Sequence, residues 1–365
     1  MQIIVIRRVI FTELLCRSLV TLMLICFFFP GILFAGEKKH MSQDLFSVSF
    51  PTENDGWACG RWGTILHTND GGKTWKRQQG GTDFTLAAIC FLDPKKGWAV
   101  GDGETILYTT DGGKTWEKQE GPQTFAERGA RWGHADVTAE EGKTETKLFY
   151  MGVHFADSRK GWIVGERTHI LHTEDGGKTW NIQFSDEDLI LKNVSFCDEY
   201  NGWAVGEYGY IYHTGDGGEH WEHQAGEFDF SDETGEIVGG NFLFDVVAVN
   251  PQTAWVAGID GYVAKTIDGG ATWQQITNGI PKGHLFGVTS DEQGKVLVGG
   301  NAQLLISSAG GESFSVVKAE PPITYGWLYR ITARGSAGFA AVGRGGWIYL
   351  SDGNGVSWRE AGDRQ

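Results

Sequence analysis

The chain has 365 residues, with 54 Gly, 15 Trp and only 8 Pro, and a formal net charge of −15. Glycine at this density without a G-X-Y period excludes collagen, and 41% apolar residues exclude a disordered chain, so the glycines are expected in many tight turns. The acidity argues against nucleic acid and anionic lipid headgroups as partners and favours solubility or a basic partner surface.

Residues 1–35 stand apart. Arg7, Arg8 and Arg17 precede an uncharged apolar run, LVTLMLICFFFPGILFA (19–35), which is followed by GEKKH. This reads as a secretory signal cleaved after Ala35, leaving residues 36–365 as a single exported domain, periplasmic or extracellular, with no direct membrane insertion. Leu33 is larger than the residue usual two positions before such a cut, and the run sits at the short limit for crossing a bilayer, so an uncleaved anchor is the alternative. Cleavage removes three Arg and one Glu and moves the net charge from −15 to −17. Cys59, Cys90 and Cys197 remain, none in a C-x-x-C, which excludes a disulfide framework. Cys59 stands where other repeats carry Val100 or Val205, so three buried free thiols are expected, with one bridge left open.

Residues 84–121 show a repeating unit: an alternating apolar run (85–92), the turn DPKKG, then WAVG, the turn DGE, the strand TILYTT, the turn DGGKTW and a polar last strand. Four short strands joined by tight turns make an antiparallel meander. Seven units begin near Asp44, Phe84, Leu148, Leu189, Phe242, His284 and Tyr325. The pattern predicts an all-β fold, a seven-bladed β-propeller of four-stranded antiparallel blades, with an open β-solenoid as the alternative.

One turn recurs as HTNDGGKTW (67–75), YTTDGGKTW (108–116), HTEDGGKTW (172–180), HTGDGGEHW (213–221) and KTIDGGATW (265–273). It decays to SSAGGESF (307–314), which lacks the Asp, and SDGNGVSW (351–358), where the Asp is displaced by one residue. This is the Asp-box pattern, placed between the third and fourth strands of each blade. Asp70, Asp111, Asp175, Asp216 and Asp268 are expected to accept hydrogen bonds within their own turns, where the glycines allow φ > 0. Trp75, Trp116, Trp180, Trp221 and Trp273 are expected to wedge between adjacent blades. His67, His172 and His213 share one repeat position, so they are spread around the ring and cannot converge on one metal.

Binding residues are expected where the repeat fails to repeat. Two long links, 122–147 and 225–241, emerge on the face opposite the Asp boxes, with the turns between second and third strands. On that face Arg61, Trp62, Glu166, Arg167, Glu207, Tyr208, Arg344 and Trp347 are expected to surround the axis, with Arg131, Trp132 and His134 in the first link; such a set suits an acidic or carbonyl-rich partner. His134 with Asp136 is the one His–carboxylate pair in that link and is weak as a zinc or general-base signal. EFDFSDETGE (227–236) lacks EF-hand spacing and reads as a solvated acidic loop. GRGG and GDGE fit neither dinucleotide nor P-loop patterns, and no G-x-S-x-G is present. No metal, cofactor or catalytic residue is assigned.

The segments GWACGRWGTILHTNDGGKTW (56–75), GWAVGDGETILYTTDGGKTW (97–116) and GWAVGEYGYIYHTGDGGEHW (202–221) resemble the photosystem II assembly factors of cyanobacteria and chloroplasts and their bacterial relatives. The resemblance runs through most of residues 44–360. It implies a non-enzymatic periplasmic or lumenal chaperone that holds a membrane-protein subunit during assembly through a basic patch. Arg61, Arg167 and Arg344, with Arg128, Arg131 and Arg330, are the residues that could supply the patch. Asp boxes also occur in sialidases and other glycoside hydrolases, so a secreted hydrolase or glycan-binding protein is the alternative. There Arg61, Arg167 and Arg344 would form an arginine cluster beside Glu207 and Tyr208.

Overall fold

The computed structural model describes residues 43–122, 147–186, 188–231 and 237–362, and these form seven antiparallel blades. The first blade runs Leu45–Ser49, Gly56–Gly60, Thr64–Thr68 and Lys76–Gln79, and the other six repeat its strand order. The innermost strands, which pack on one another around a closed ring, begin at Leu45, Leu86, Tyr150, Leu191, Leu243, Leu285 and Leu328. A short strand, Lys318–Glu320, adds in parallel to the outer strand of the seventh blade. A two-stranded hairpin, Phe228–Phe230 with Ile237–Gly239, is inserted between the fourth and fifth blades. Part of the expected acidic loop is therefore ordered strand, because Phe228 finds a packing partner in Tyr208.

The second strand of each blade ends on a glycine for a steric reason. At Gly101 an added Cβ would stand 2.0 Å from the Thr85 carbonyl oxygen, and the next amide, of Asp102, donates to that same oxygen at 2.9 Å. The contact recurs at the bulge between the first two strands in every blade, so the apolar "WAVG" run closes against main chain.

Aromatic stacking joins the early blades. Trp57 stacks on Phe91 of the next blade at 3.7 Å, Trp98 on Phe155 at 3.5 Å and Trp162 on Phe196 at 3.6 Å. Each of those Phe rings meets an Asp-box Trp edge-on: Trp116, Trp180 and Trp221. The expected wedge is thus a three-ring stack across the seam, of a kind that adds about 0.5–1.5 kcal/mol per pair beyond area burial. His67, His172 and His213 lie over Trp57, Trp162 and Trp203, and burial lowers their pKa values, so they act as neutral stacking partners.

In the Asp boxes, Asp70 accepts from the Thr74 amide at 2.9 Å and from the Thr74 and Thr68 hydroxyls at 2.7 and 2.8 Å. The same bonds form at Asp111, Asp175 and Asp268, and at Asp216 a His220 ring replaces the threonine hydroxyl. In the eroded copies Ser308 and Asp352 take over as acceptors. Burial pulls the Asp70 carboxyl up, but bonds from Thr74 and Thr68 outweigh it and leave the pKa at about 2; Asp268, held mainly by Thr272, also reaches about 2. Asp216 reaches about 2 through His220, against burial. These folded values lie below the ordinary carboxylate value, so the stabilisation is complete above about pH 4 and is lost as pH falls towards 2. Scanning calorimetry should show a melting temperature that drops between pH 4 and pH 2. A variant with Asp70→Asn, Asp216→Asn and Asp268→Asn should be less stable at pH 6 and show a smaller drop; an equal drop would assign the acid sensitivity elsewhere.

Every Asp box is also clasped by a side chain from the preceding blade. Gln78, Gln119, Gln183 and Gln224 each donate to a box glycine carbonyl, of Gly112, Gly176, Gly217 and Gly269, at 2.8, 3.0, 3.0 and 2.7 Å. Three residues after the box Trp, or after the Phe that replaces it, this glutamine becomes Ile276, Val317 and Ala361 in the last blades. At those seams cations from other strands and turns reach the same loop: Lys265 to Gly310 at 3.2 Å, Lys295 to Asn354 at 3.1 Å and Arg334 to Gly71 at 2.8 Å. The last of these closes the ring. Among the described residues no strand is exchanged between the first and seventh blades, and closure rests on Arg334, on the Gly345 amide bonded to Asp44 at 2.8 Å, on the Ser336 amide bonded to Glu53 at 3.0 Å, and on an apolar seam that includes Leu45, Trp75, Ala340 and Ile348.

Cys59, Cys90 and Cys197 are free. Cys59 is fully buried as expected, but Cys90 and Cys197 are only half-buried, because Cys90 faces the axis and Cys197 sits in a surface turn beside Asp198.

Candidate recognition face

The innermost strands start on the face opposite the Asp boxes, since the amides of Arg61, Glu166, Glu207 and Arg344 bond back to the residues that precede those strands. The turns between second and third strands therefore lie one strand out from the axis. This corrects the expectation that their side chains ring it. The axis mouth is instead lined by the second residue of each innermost strand, which period-2 alternation turns away from the blade core: Phe46, Ala87, Met151, Lys192, Phe244, Phe286 and Tyr329.

Four of these seven make a continuous half-buried arc over the fifth, sixth, seventh and first blades. Phe244 meets Phe286 at 4.9 Å, Phe286 meets Tyr329 at 5.7 Å, and Tyr329 meets Phe46 edge-on at 4.8 Å. Arg61 reaches over Phe46 at 5.9 Å and Arg344 over Trp327 at 4.9 Å. Asp44 accepts from Arg61 Nε at 3.1 Å and from the Gly345 amide, which ties the two arginine-bearing turns together. Burial raises the Tyr329 hydroxyl pKa and Asp44 adds to this, while Trp327, Arg61 and Arg344 lower it. Tyr329 is thus within electrostatic reach of both guanidinium groups. Around the arc, Trp62 is 62% exposed and held at φ 55°, and Tyr325 is 85% exposed. The same turn position is left-handed at Arg167, Tyr208, Asp260 and Gly345, so this conformation belongs to the repeated turn and what sets Trp62 apart is its exposure.

The other candidates fall elsewhere. Arg167, at φ 60°, is on the third blade, two blades from Arg61. Glu166 accepts from the Phe149 amide at 3.0 Å, and Glu207 accepts from the Ile190 amide at 3.1 Å and pairs with Lys192 at 3.5 Å, so both serve the fold. Tyr208 packs on Phe228 and Phe242 under the inserted hairpin, and Trp347 lies over Gly326 in the link before the seventh blade. Arg128, Arg131, Trp132, His134 and Asp136 lie outside the described residues. Arg330 is in the axial channel, where Asp245, fully buried, accepts from Arg330, from Asn193 and from the Val246 and Val288 amides, the last two at 2.9 Å. The arc itself escaped sequence reading. The signal was the alignment of the second residue of each unit's first strand, aromatic in four units out of seven.

Fold and face together define an Asp-box propeller whose axial mouth presents aromatic rings and two arginines on rigid strands. The chain belongs to the family described as Photosynthesis system II assembly factor YCF48, whose model matches residues 37–120, 81–144, 133–228 and 232–363. Among solved structures it is similar to YCF48 bound to D1 peptide (19% identity, 85% of this chain and 94% of that one, TM-score 0.62). It is also similar to the GH74 xyloglucanase of Xanthomonas campestris (13% identity, 88% of this chain and 55% of that one, TM-score 0.64). At these identities the likeness is one of fold. No curated protein sequence matches the chain.

Proposed function

We propose that this protein is an exported, non-enzymatic binding propeller that holds a segment of a membrane-protein subunit at its axial mouth during assembly of a membrane-associated complex. The observation that carries this reading is the aromatic arc Phe244–Phe286–Tyr329–Phe46 flanked by Arg61 and Arg344. Rigid aromatics and arginines on a fixed scaffold are the residues that dominate protein recognition. Membership of an assembly-factor family supports the class, and the relative solved with a D1 peptide supports a peptide segment as occupant. A non-enzymatic role is supported by membership of an assembly-factor family; in the axial channel Asp245 is saturated by its partners, and in the turns Glu166 and Glu207 are bonded to main chain. The apolar leader supports export.

Arg61→Glu with Arg344→Glu should weaken capture of envelope proteins from solubilised membranes by at least about tenfold, and Tyr329→Ala by about as much. The double variant should lose no more than about 1 kcal/mol of stability, the cost of a like charge beside Asp44, because the Arg61 side chain is half-exposed and Arg344 is exposed. Quantitative pull-down read by mass spectrometry checks this; capture unchanged in both variants would remove the axial mouth as the binding face.

A further inference from the structure

We propose that the inserted hairpin builds a second site, a sugar-binding cleft between the fourth and fifth blades, separate from the axial mouth and independent of the assembly role. A cavity of about 800 Å³ lies between the hairpin and the two blades. This falls in the range of small-molecule sites, and the axial channel is far smaller, at about 170 Å³.

The lining chemistry selects the ligand. Tyr208, Phe228 and Tyr262 supply aromatic surface. Tyr208 is held at φ 53° with its ring against Gly239, where an added Cβ would come within 2.7 Å of the ring. Exposed Glu227, Asp229 and Asn241 supply polar groups at the rim, and glycine main chain completes the wall. None of the thirteen described lining residues is Lys, Arg or His, so an anionic ligand would meet repulsion without compensation. Tyr208 and Phe228 pack on each other at 5.4 Å and make a continuous apolar surface long enough for a sugar ring, while an organic ammonium ion, which rings and carboxylates also attract, is the competing occupant that the test includes. A neutral, polyhydroxylated ring fits what remains: its C–H face covers aromatic surface, and its hydroxyls donate to carboxylate and amide oxygens.

The test is saturation-transfer NMR on the intact protein with cellotriose, maltotriose and chitotriose, each at millimolar concentration, and with tetramethylammonium. At least one sugar should receive saturation, and Tyr262→Ala should abolish it. Asn241→Ala, which removes an exposed amide, and Tyr262→Phe, which keeps the ring, should each weaken binding at least fivefold, so the outcome does not depend on the alanine variant folding. Transfer to none of the three sugars, transfer to tetramethylammonium in their place, or sugar binding unaltered in all three variants would overturn the proposal. Retention of partner capture by Asn241→Ala would separate this site from the axial mouth.

Discussion

Arg334→Ala should destabilise the protein by about 3–5 kcal/mol and lower its melting temperature by on the order of 5–10 °C. The side chain is only 6% exposed and makes four hydrogen bonds to carbonyls: Gly71 at 2.8 Å, Ala337 and Ser351 at 3.0 Å, and Phe339 at 3.3 Å. It also lies over the Phe50 ring at 5.6 Å. Truncation leaves those acceptors without their donor at the one seam where chain ends must meet without exchanging a strand. The comparison is Gln78→Ala, which cuts one bond at an interior seam and should cost about 1 kcal/mol. Thermal and urea unfolding of the two variants decide the matter. Equal losses would mean that the seventh seam is held by its apolar packing and by the Gly345–Asp44 and Ser336–Glu53 bonds, and not by Arg334.

Asp245→Ala should cost a similar amount, about 3–5 kcal/mol, by leaving Arg330 without its counter-charge in the axial channel. Burial pushes the Asp245 carboxyl up against the pull of Arg330, and its remaining lone pairs are taken by Asn193 and by the Val246 and Val288 amides. These partners come from the fourth, fifth, sixth and seventh blades, so the carboxylate braces about half the ring from inside. The double variant Asp245→Leu with Arg330→Met removes both charges and should recover much of the loss, as buried pairs replaced by apolar residues of similar size often do. Denaturant unfolding checks it; a double variant as unstable as Asp245→Ala would show that the amides, and not the ion pair, depend on the carboxylate.

Most of the fold was legible because its signals are local and repeated. The Asp box satisfies its own bonds within a few residues, as Asp70 does with Thr68 and Thr74, so the pattern could be read from any of the five intact copies. The Asp-box Trp ends every intact copy of the turn at the same position, so a wedge at each seam was expected, whereas the stacked pair it meets, such as Trp98 and Phe155, spans the long link and was not read. The turns between second and third strands were expected to ring the axis, but they lie one strand out from it, and the mouth is lined from the innermost strands instead. Arg61 and Arg344 do come together, through Asp44, because the first and last blades are neighbours. Glu166 and Glu207 were expected among the binding residues around the axis, yet each is folded back onto an amide that strand pairing leaves open. A sequence does not show which side chain such an amide recruits.

By itself the sequence determined the blade, the number of blades and the chemistry of each repeated turn, since these depend on residues close together in the chain and recur until chance is excluded. Tertiary structure alone decided how the ring closes and what its mouth presents. Arg334, in the turn after the innermost strand of its blade, takes the place of a glutamine on the outer strand, and Phe46, Phe244, Phe286 and Tyr329 meet across four blades although they are far apart in sequence. Both depend on the curvature that brings seven innermost strands around one axis, a property of the assembled ring that no single repeat contains.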